Sequence, residues 1–493
     1  MASVIESGIE GLDDILGGGF PTRRMYLIQG DPGVGKTTLA LQLLMEGRTA
    51  GERVLYVTLS ESPEEIAAIA LSHGWDLSDI DLYEVIPSDA DDLLGDENTL
   101  YVPGEVELGE RMRGVLDEID RVRPKRVVID SCSELRLLAE TALRFRRQIL
   151  ALKQHIVRHD CTAFLLENPL TPTGDILLQS LVHGVIHLEQ RSPEYGSERR
   201  RLRIVKLREV RFLGGNHDFK IRRGGLEVYP RLVAAEHHAV YERGQLASGV
   251  EGLDAMLRGG LDRGTAWLFL GPAGTGKSAV ATRYVVAAAQ RGERSAMFAF
   301  DEGTATLLDR SRVLGMDLAP LIDDGRVEVH QIDPAELSPG EFVLKVRTAV
   351  EDHGVRLIVI DSLNGYIHAM PEEDSLVIQL HELVTYLRQR GVVVVMVVAQ
   401  HGLVGRTMTT PIDASYLADG VILFRYFEAE GRVRKALSVM KRRAGIHDDT
   451  IRAFTLGSDG LHVGAALDQF SGVLTGVPSH SRTLRLDSDV TDG

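Results

Sequence analysis

Two stretches of this chain have the residue types and spacing to hold a triphosphate. Gly30–Thr37 reads GDPGVGKT, and Gly271–Ser278 reads GPAGTGKS. Each is preceded by an apolar, strand-like run (Met25–Ile28; Trp267–Leu270) and followed by good helix formers. A strand that turns through glycines into a helix N-terminus aims backbone N–H groups at one point, where the helix dipole also favours an anion. The candidate phosphate contacts are Gly33, Val34, Gly35, Lys36, Thr37 and Thr38, and in the second copy Gly274, Thr275, Gly276, Lys277, Ser278 and Ala279. Lys36 and Lys277 have the reach for the β- and γ-phosphates, and Thr37 and Ser278 have the hydroxyl for Mg²⁺.

Hydrolysis or transfer of the terminal phosphate needs further groups. Asp130 and Asp361 close the apolar runs RVVID and LIVID, at the strand ends where α/β sheets place ligands, and complete the expected metal set. Asp301-Glu302 ends the strand after the second loop, and Ser60-Glu61 holds that place in the first unit. Adjacent side chains at a strand end point in opposite directions, so one acid of the pair faces the γ-phosphate. Glu61, Asp301 and Glu302 are therefore the candidate bases. Two basic strands carry Lys206-x-Arg208 and Lys441-x-Arg443 at matching places, as expected for phosphate binding in trans. His217-Asp218 and His447-Asp448 come after them, where a nucleotide edge could lie, and Gln400 ends a buried strand as a candidate γ-phosphate sensor.

These groups are positioned by a duplicated unit. SGIEGLDDILGGGF at Ser7–Phe20 returns as SGVEGLDAMLRGGL at Ser248–Leu261, and the offset of 241 residues also separates Lys36 from Lys277. Strands alternate with helices, and several strands are apolar without alternation. The fold class is α/β: two tandem P-loop domains, each a mostly parallel sheet flanked by helices. The expected domains are residues 1–236 and 245–465, divided by the polar stretch Ala234–Gln245, with a tail over 466–493 that is mobile from about Ser471.

A net charge of −16 argues against a protein that coats nucleic acid. The two cysteines, Cys132 and Cys161, read as buried thiols in a reducing cytoplasm. The N-terminus lacks a signal peptide's pattern, and the longest apolar run, Val392–Ala399, is too short to cross a bilayer.

The order of Ser-Gly-x-x-Gly-Leu-Asp, phosphate loop, acid-ended strand, Gly-Trp/Met-Asp-Leu, Asp-Ser strand and Lys-x-Arg, repeated in tandem, resembles the KaiC family of circadian-clock ATPases. The resemblance covers about residues 5–478, including Phe470–Gly476. It implies that both domains are RecA-like and stack as two rings of a homohexamer, with ATP and Mg²⁺ between neighbouring subunits, contacted in trans by Lys206, Arg208, Lys441 and Arg443. It implies slow ATP hydrolysis in the first ring, and hydrolysis with autophosphorylation in the second. The phosphorylated pair of the family matches Ser415-Tyr416, with Tyr416 standing where the nearest clock proteins carry Thr. A phenol oxygen lies several ångströms further from the backbone, so Ser415 is the expected site, with Asp301 or Glu302 accepting its proton. The family's first-unit acid pair is here Ser60-Glu61: first-ring hydrolysis is crippled if the missing acid is the base, and survives if Glu61 suffices. The short tail after Pro478 argues against a KaiA-like activator, and a KaiB-like partner on the first ring stays open.

Two other functions fit the same core. A RecA-like recombinase or helicase would share it, but neither Asp-Ser strand is followed by a basic loop interleaved with aromatics. A scaffold glued by ATP would bind nucleotide without turning it over.

Overall fold

The computed structural model describes residues 3–85, 103–168, 176–368, 376–400, 416–475 and 479–480. The chain forms two compact units, Met1–Arg231 and Leu232–Gly493. Each is built on a nine-stranded sheet with the same strand order. In the first unit the order across the sheet is Asp81–Glu84, Val54–Thr58, Arg126–Asp130, Thr162–Glu167, Met25–Gln29 and Gly184–Arg191, all parallel. The sheet continues antiparallel through Arg199–Leu207, His217–Arg222 and Gly225–Tyr229. In the second unit the parallel part runs Val327–Gln331, Arg294–Ala299, Val355–Asp361, Val393–Ala399, Ala266–Gly271 and Gly420–Ala429. Arg432–Arg442, Arg452–Gly457 and Gly460–Ala466 extend it antiparallel.

The unalternated apolar runs are the central strands, because helices cover both faces of the parallel part. Val127, Val128 and Ile129 are all fully buried, yet Val128 faces one core of the first unit, while Val127 and Ile129 face the other. The helix Lys36–Thr49 covers the first face. The helices Pro103–Val122 and Ala142–Arg158 cover the second. On Ala142–Arg158 the buried positions are Phe145, Ile149, Leu152 and Ile156, one stripe at helical spacing. Each such side chain contributes about 1.5–3 kcal/mol by leaving water. Both cysteines are free and buried in this second core.

Two boundaries differ from the sequence reading. Leu232 and Ala234 belong to the core of the second unit, and the Ala234 amide donates to Glu382 Oε2 at 3.0 Å. The polar stretch taken as the linker therefore begins inside the second unit. The expected mobile tail also starts too early: Val473 packs beside Phe427 and Ala436, and Phe470–Ser471 pairs with Ser479–His480. Two apolar side chains, Phe470 and Val473, anchor a segment whose composition is otherwise polar.

Candidate nucleotide sites

In the first unit the fully buried strand Met25–Gln29 feeds the glycine turn. Gly33 and Gly35 have φ of 80° and 114°, and a Cβ on Gly35 would fall 2.6 Å from Ile221 Cδ1. Gly274 and Gly276 repeat this with φ of 75° and 106°. A Cβ on Gly276 would lie 2.8 Å from Leu456 Cδ1. Neither position accepts a side chain, so backbone can line the cradle. The helices that leave the two turns, Lys36–Thr49 and Lys277–Gln290, start without a side-chain cap and without an acid in the first turn. Their first N–H groups and positive dipole ends suit an anion. Val34, Thr38, Thr275 and Ala279 have buried side chains, so the part they present to a ligand is main chain.

Lys36 Nζ donates to the carbonyls of Gly30 at 2.7 Å and Asp31 at 2.9 Å. Lys277 Nζ does the same to Gly271 at 2.8 Å and Pro272 at 2.7 Å. Burial lowers the pKa of both ammonium groups against the pull of Asp130 and Asp361, bringing Lys277 to about 8.

At the metal position of the first unit, Asp130 Oδ2 accepts from Thr37 Oγ1 at 3.2 Å and from Tyr56 hydroxyl at 2.6 Å. Burial pushes the Asp130 carboxyl up, and these two hydrogen bonds and Lys36 oppose the shift. In the second unit burial likewise raises Asp361, against a hydrogen bond from Ser278 and the charge of Arg310. Hydroxyl and carboxylate are hard oxygen donors, converging beside a backbone anion cradle, which is the donor set Mg²⁺ with a triphosphate requires.

The acids at the strand ends differ between units. Glu61 is raised first by burial and then by the charge of Asp130, and its Oε2 is buried without a hydrogen-bond partner. Glu302 forms a 2.7 Å ion pair with Arg310. Asp301 is exposed, and its Oδ2 accepts from the Ser362 hydroxyl. The first unit thus offers a half-buried carboxylate with one unpartnered oxygen, and the second an exposed carboxylate beside Ser362.

The KaiC ATPase family model matches this chain over residues 5–233 and 246–468. The chain belongs to the KaiC ATPase family. It is 26% identical over 481 residues to the circadian clock oscillator protein KaiC of Acaryochloris marina, covering 96% of this chain and 90% of that one. It is 26% identical over 486 residues to the circadian clock protein KaiC3 of Synechocystis sp., covering 97% and 95%. It is 27% identical over 477 residues to KaiC of Synechococcus elongatus, covering 96% and 91%.

In this KaiC-family chain the Lys-x-Arg pairs lie far from the loops of their own unit. Lys206 pairs with Val185, near the start of the strand Gly184–Arg191, and the Arg208 amide donates to His183 carbonyl at 3.0 Å. The phosphate loop leaves the neighbouring parallel strand at its other end, after Gln29. Lys441 and Arg443 repeat the placement beside Val421 and Asp419. A bulge precedes each pair: Val205 and Met440 have no partner in the register, and both are exposed. The extra residue re-aims the side chains beyond it, and nothing in the sequence marks it. Lys206 Nζ donates to Gln179 carbonyl at 2.6 Å, Lys441 Nζ donates to Ala418 carbonyl at 2.8 Å, and Arg208 and Arg443 are exposed.

His217 is placed against the expectation of a nucleotide edge. It is fully buried in its own unit, its Nδ1 accepts from Arg231 amide at 2.9 Å, and its Nε2 meets Leu213 carbonyl at 3.0 Å. Burial lowers its pKa to about 4, so it is a neutral core histidine. Its alternation with buried Phe219 was the missed signal. His447 is half-buried, beside an Asp448 that pairs with Arg452 at 2.6 Å. The Gln400 amide donates to Gly271 carbonyl at 3.1 Å, and its side chain accepts from Arg425. Ser415 lies outside the described residues, and Tyr416 is exposed just before the buried Leu417 and Ala418. Among the described residues no helix is long and apolar enough to cross a membrane.

Proposed function

We propose that this chain is an ATP-hydrolysing timer or signalling switch that works as a hexamer, with ATP between neighbouring copies, and that its second unit phosphorylates Ser415. The relatives named above are clock proteins, which supports the class of role. The observation that carries the reading is the position of Lys206, Arg208, Lys441 and Arg443, at the end of each sheet remote from that unit's own loop. Cations repeated in both units and unable to serve their own site call for a neighbour's triphosphate.

In the first unit Thr37 and Asp130 would hold Mg²⁺, and Glu61 would take the proton of the attacking water. In the second unit Ser278 and Asp361 would hold it. When bound, the ion neutralises charge on the β- and γ-phosphates. The Ser415 oxygen bonds to the γ-phosphorus, Asp301 accepts the serine proton, and the bond from the γ-phosphorus to the bridging oxygen breaks, releasing ADP. Asp301 takes this role rather than Glu302 because Glu302 is neutralised by Arg310.

Light scattering on the full chain with and without Mg-ATP tests the assembly. The expected result is a hexamer with nucleotide, weakened by Lys206→Ala with Lys441→Ala. A monomer saturated with Mg-ATP would overturn the reading.

A further inference from the structure

On the second face of the first unit's sheet, the helices Pro103–Val122 and Ala142–Arg158 bring together three side chains that the nucleotide chemistry does not use. His155 and His159 stand one turn apart, with rings stacked at 4.3 Å between centroids. Asp120 Oδ1, from the other helix, lies 2.7 Å from His155 Nε2 and 3.2 Å from His159 Nε2. The His155 Nε2 atom is buried from water, and its approach to Asp120 does not meet hydrogen-bond geometry. Among the described residues this is the one group of three or more metal-ligating side chains whose donor atoms converge, all within 4.8 Å of one another.

The second unit shows the arrangement that the fold builds at this place by default. Glu351, Tyr386 and Arg390 lie 231 residues after Asp120, His155 and His159, the offset that also relates Asp361 to Asp130. There Tyr386 hydroxyl donates to Glu351 Oε1 at 2.9 Å and Arg390 Nη2 donates to the same oxygen at 2.7 Å. A carboxylate clasped by a phenol and a guanidinium is satisfied as it stands, and a guanidinium never offers a lone pair. In the first unit both donors are replaced by imidazoles, each of which in the neutral form keeps one nitrogen lone pair that can bind a metal.

We propose that Asp120, His155 and His159 form a binding site for a transition-metal dication of the zinc class, which pins the two helices together. Two imidazole nitrogens and one carboxylate oxygen make a ligand set that zinc accepts, with water in the fourth position. Ligands about 2.0–2.1 Å from a tetrahedral ion stand roughly 3.3 Å apart, so a small outward turn of the Asp120 carboxylate brings its oxygen to ligand spacing from both nitrogens. That side chain is 48% exposed and free to make the turn. Mg²⁺ prefers all-oxygen surroundings, so the site is chemically distinct from the phosphate loops.

The test compares the full chain with His155→Tyr/His159→Arg, which writes the second unit's clasp into the first and so keeps the helices joined. Both proteins are stripped of metal and equilibrated with Zn²⁺ in excess Mg²⁺, and bound zinc is measured. The parent is expected to hold one more Zn²⁺ per chain than the variant, and to give with Co²⁺ a visible absorption band that the variant lacks. Asp120→Asn should weaken that zinc binding at least several-fold while leaving ATP binding unchanged. Equal zinc uptake by parent and double variant, or none by either, would overturn the proposal.

Discussion

Tyr56 donates a 2.6 Å hydrogen bond to Oδ2 of Asp130, the same oxygen that accepts from Thr37. The second unit has no such bond, because the residue 241 positions on from Tyr56 is Met297. The phenol holds the buried carboxylate where a metal ligand is needed and favours its charged form. A hydrogen bond to a charged group is worth about 1.5–3 kcal/mol, so Tyr56→Phe is expected to raise the Mg²⁺ requirement of first-unit nucleotide binding by about tenfold or more. Titration of Mg²⁺ in a Lys277→Ala background, which leaves the first unit to report, checks this. Met297→Leu in the second unit should leave its Mg²⁺ requirement unchanged.

Lys277 gives the second site a pH dependence of known sign. Burial brings its pKa from 10.5 to about 8. Below pH 8 the ammonium is charged in both folded and unfolded chains, and the folded state carries the full cost of burying it. As pH rises from 8 towards 10.5 the folded chain loses the proton first, so the nucleotide-free unit becomes more stable over that window. Affinity for triphosphate runs the other way, since the phosphates need the charged form. ATP binding to the second unit should weaken as pH rises through 8. Calorimetry in two buffers of different ionisation heat should show proton uptake on binding at pH 9 and little at pH 7. Lys277→Arg should remove that proton signal.

Glu61 is the acid that the first unit keeps at this strand end, and its surroundings differ from those of its counterpart in the second unit. Its counterpart Glu302 is paired with Arg310, whereas the residue in the place of Arg310 is Ile69. With no arginine there, burial and Asp130 raise the Glu61 pKa above 4.5. General-base catalysis contributes about 10²–10⁴-fold, so Glu61→Gln should cut first-unit phosphate release by about 100-fold or more. In the parent, release should decline as pH falls through the raised Glu61 pKa, because the base is lost on protonation. A phosphate-release assay across pH, again with Lys277→Ala, reads both effects.

The two glycine turns were legible because they are local: the strand end, Gly33, Gly35 and the helix that starts at Lys36 follow one another directly in the chain. The duplicated order was legible because a repeat survives differences in loop length. Features decided by register and packing were not. Tyr56 reads as one more core residue in an apolar strand until Thr58 is set against Asp130, two positions along. The bulges at Val205 and Met440 exist only in the pairing of two strands. The spacing of His155 and His159 is visible in the chain, but Asp120 comes from another helix and no periodicity connects them. His217 shows the converse, a histidine whose place beside a basic strand suggested a site and whose alternation with Phe219 marked it as core.

The two acids of the second unit make a sharper test than either unit alone. Asp301 accepts from the Ser362 hydroxyl, next to the Asp361 that ends its strand, while Glu302 is held by Arg310 on the helix Thr304–Val313. The ion pair occupies the Glu302 carboxylate and aims it at Arg310, so it is not free to accept from a serine hydroxyl. Asp301→Asn should therefore lower γ-phosphate labelling of Ser415 by about 100-fold or more, the range of a lost general base. Glu302→Gln should lower it far less, and Ser415→Ala should abolish label at that position. Site mapping by mass spectrometry after incubation with γ-labelled ATP separates the roles: equal loss in both acid variants would mean the pair acts as a unit. Unchanged label at Ser415 in Asp301→Asn would remove Asp301 as the base.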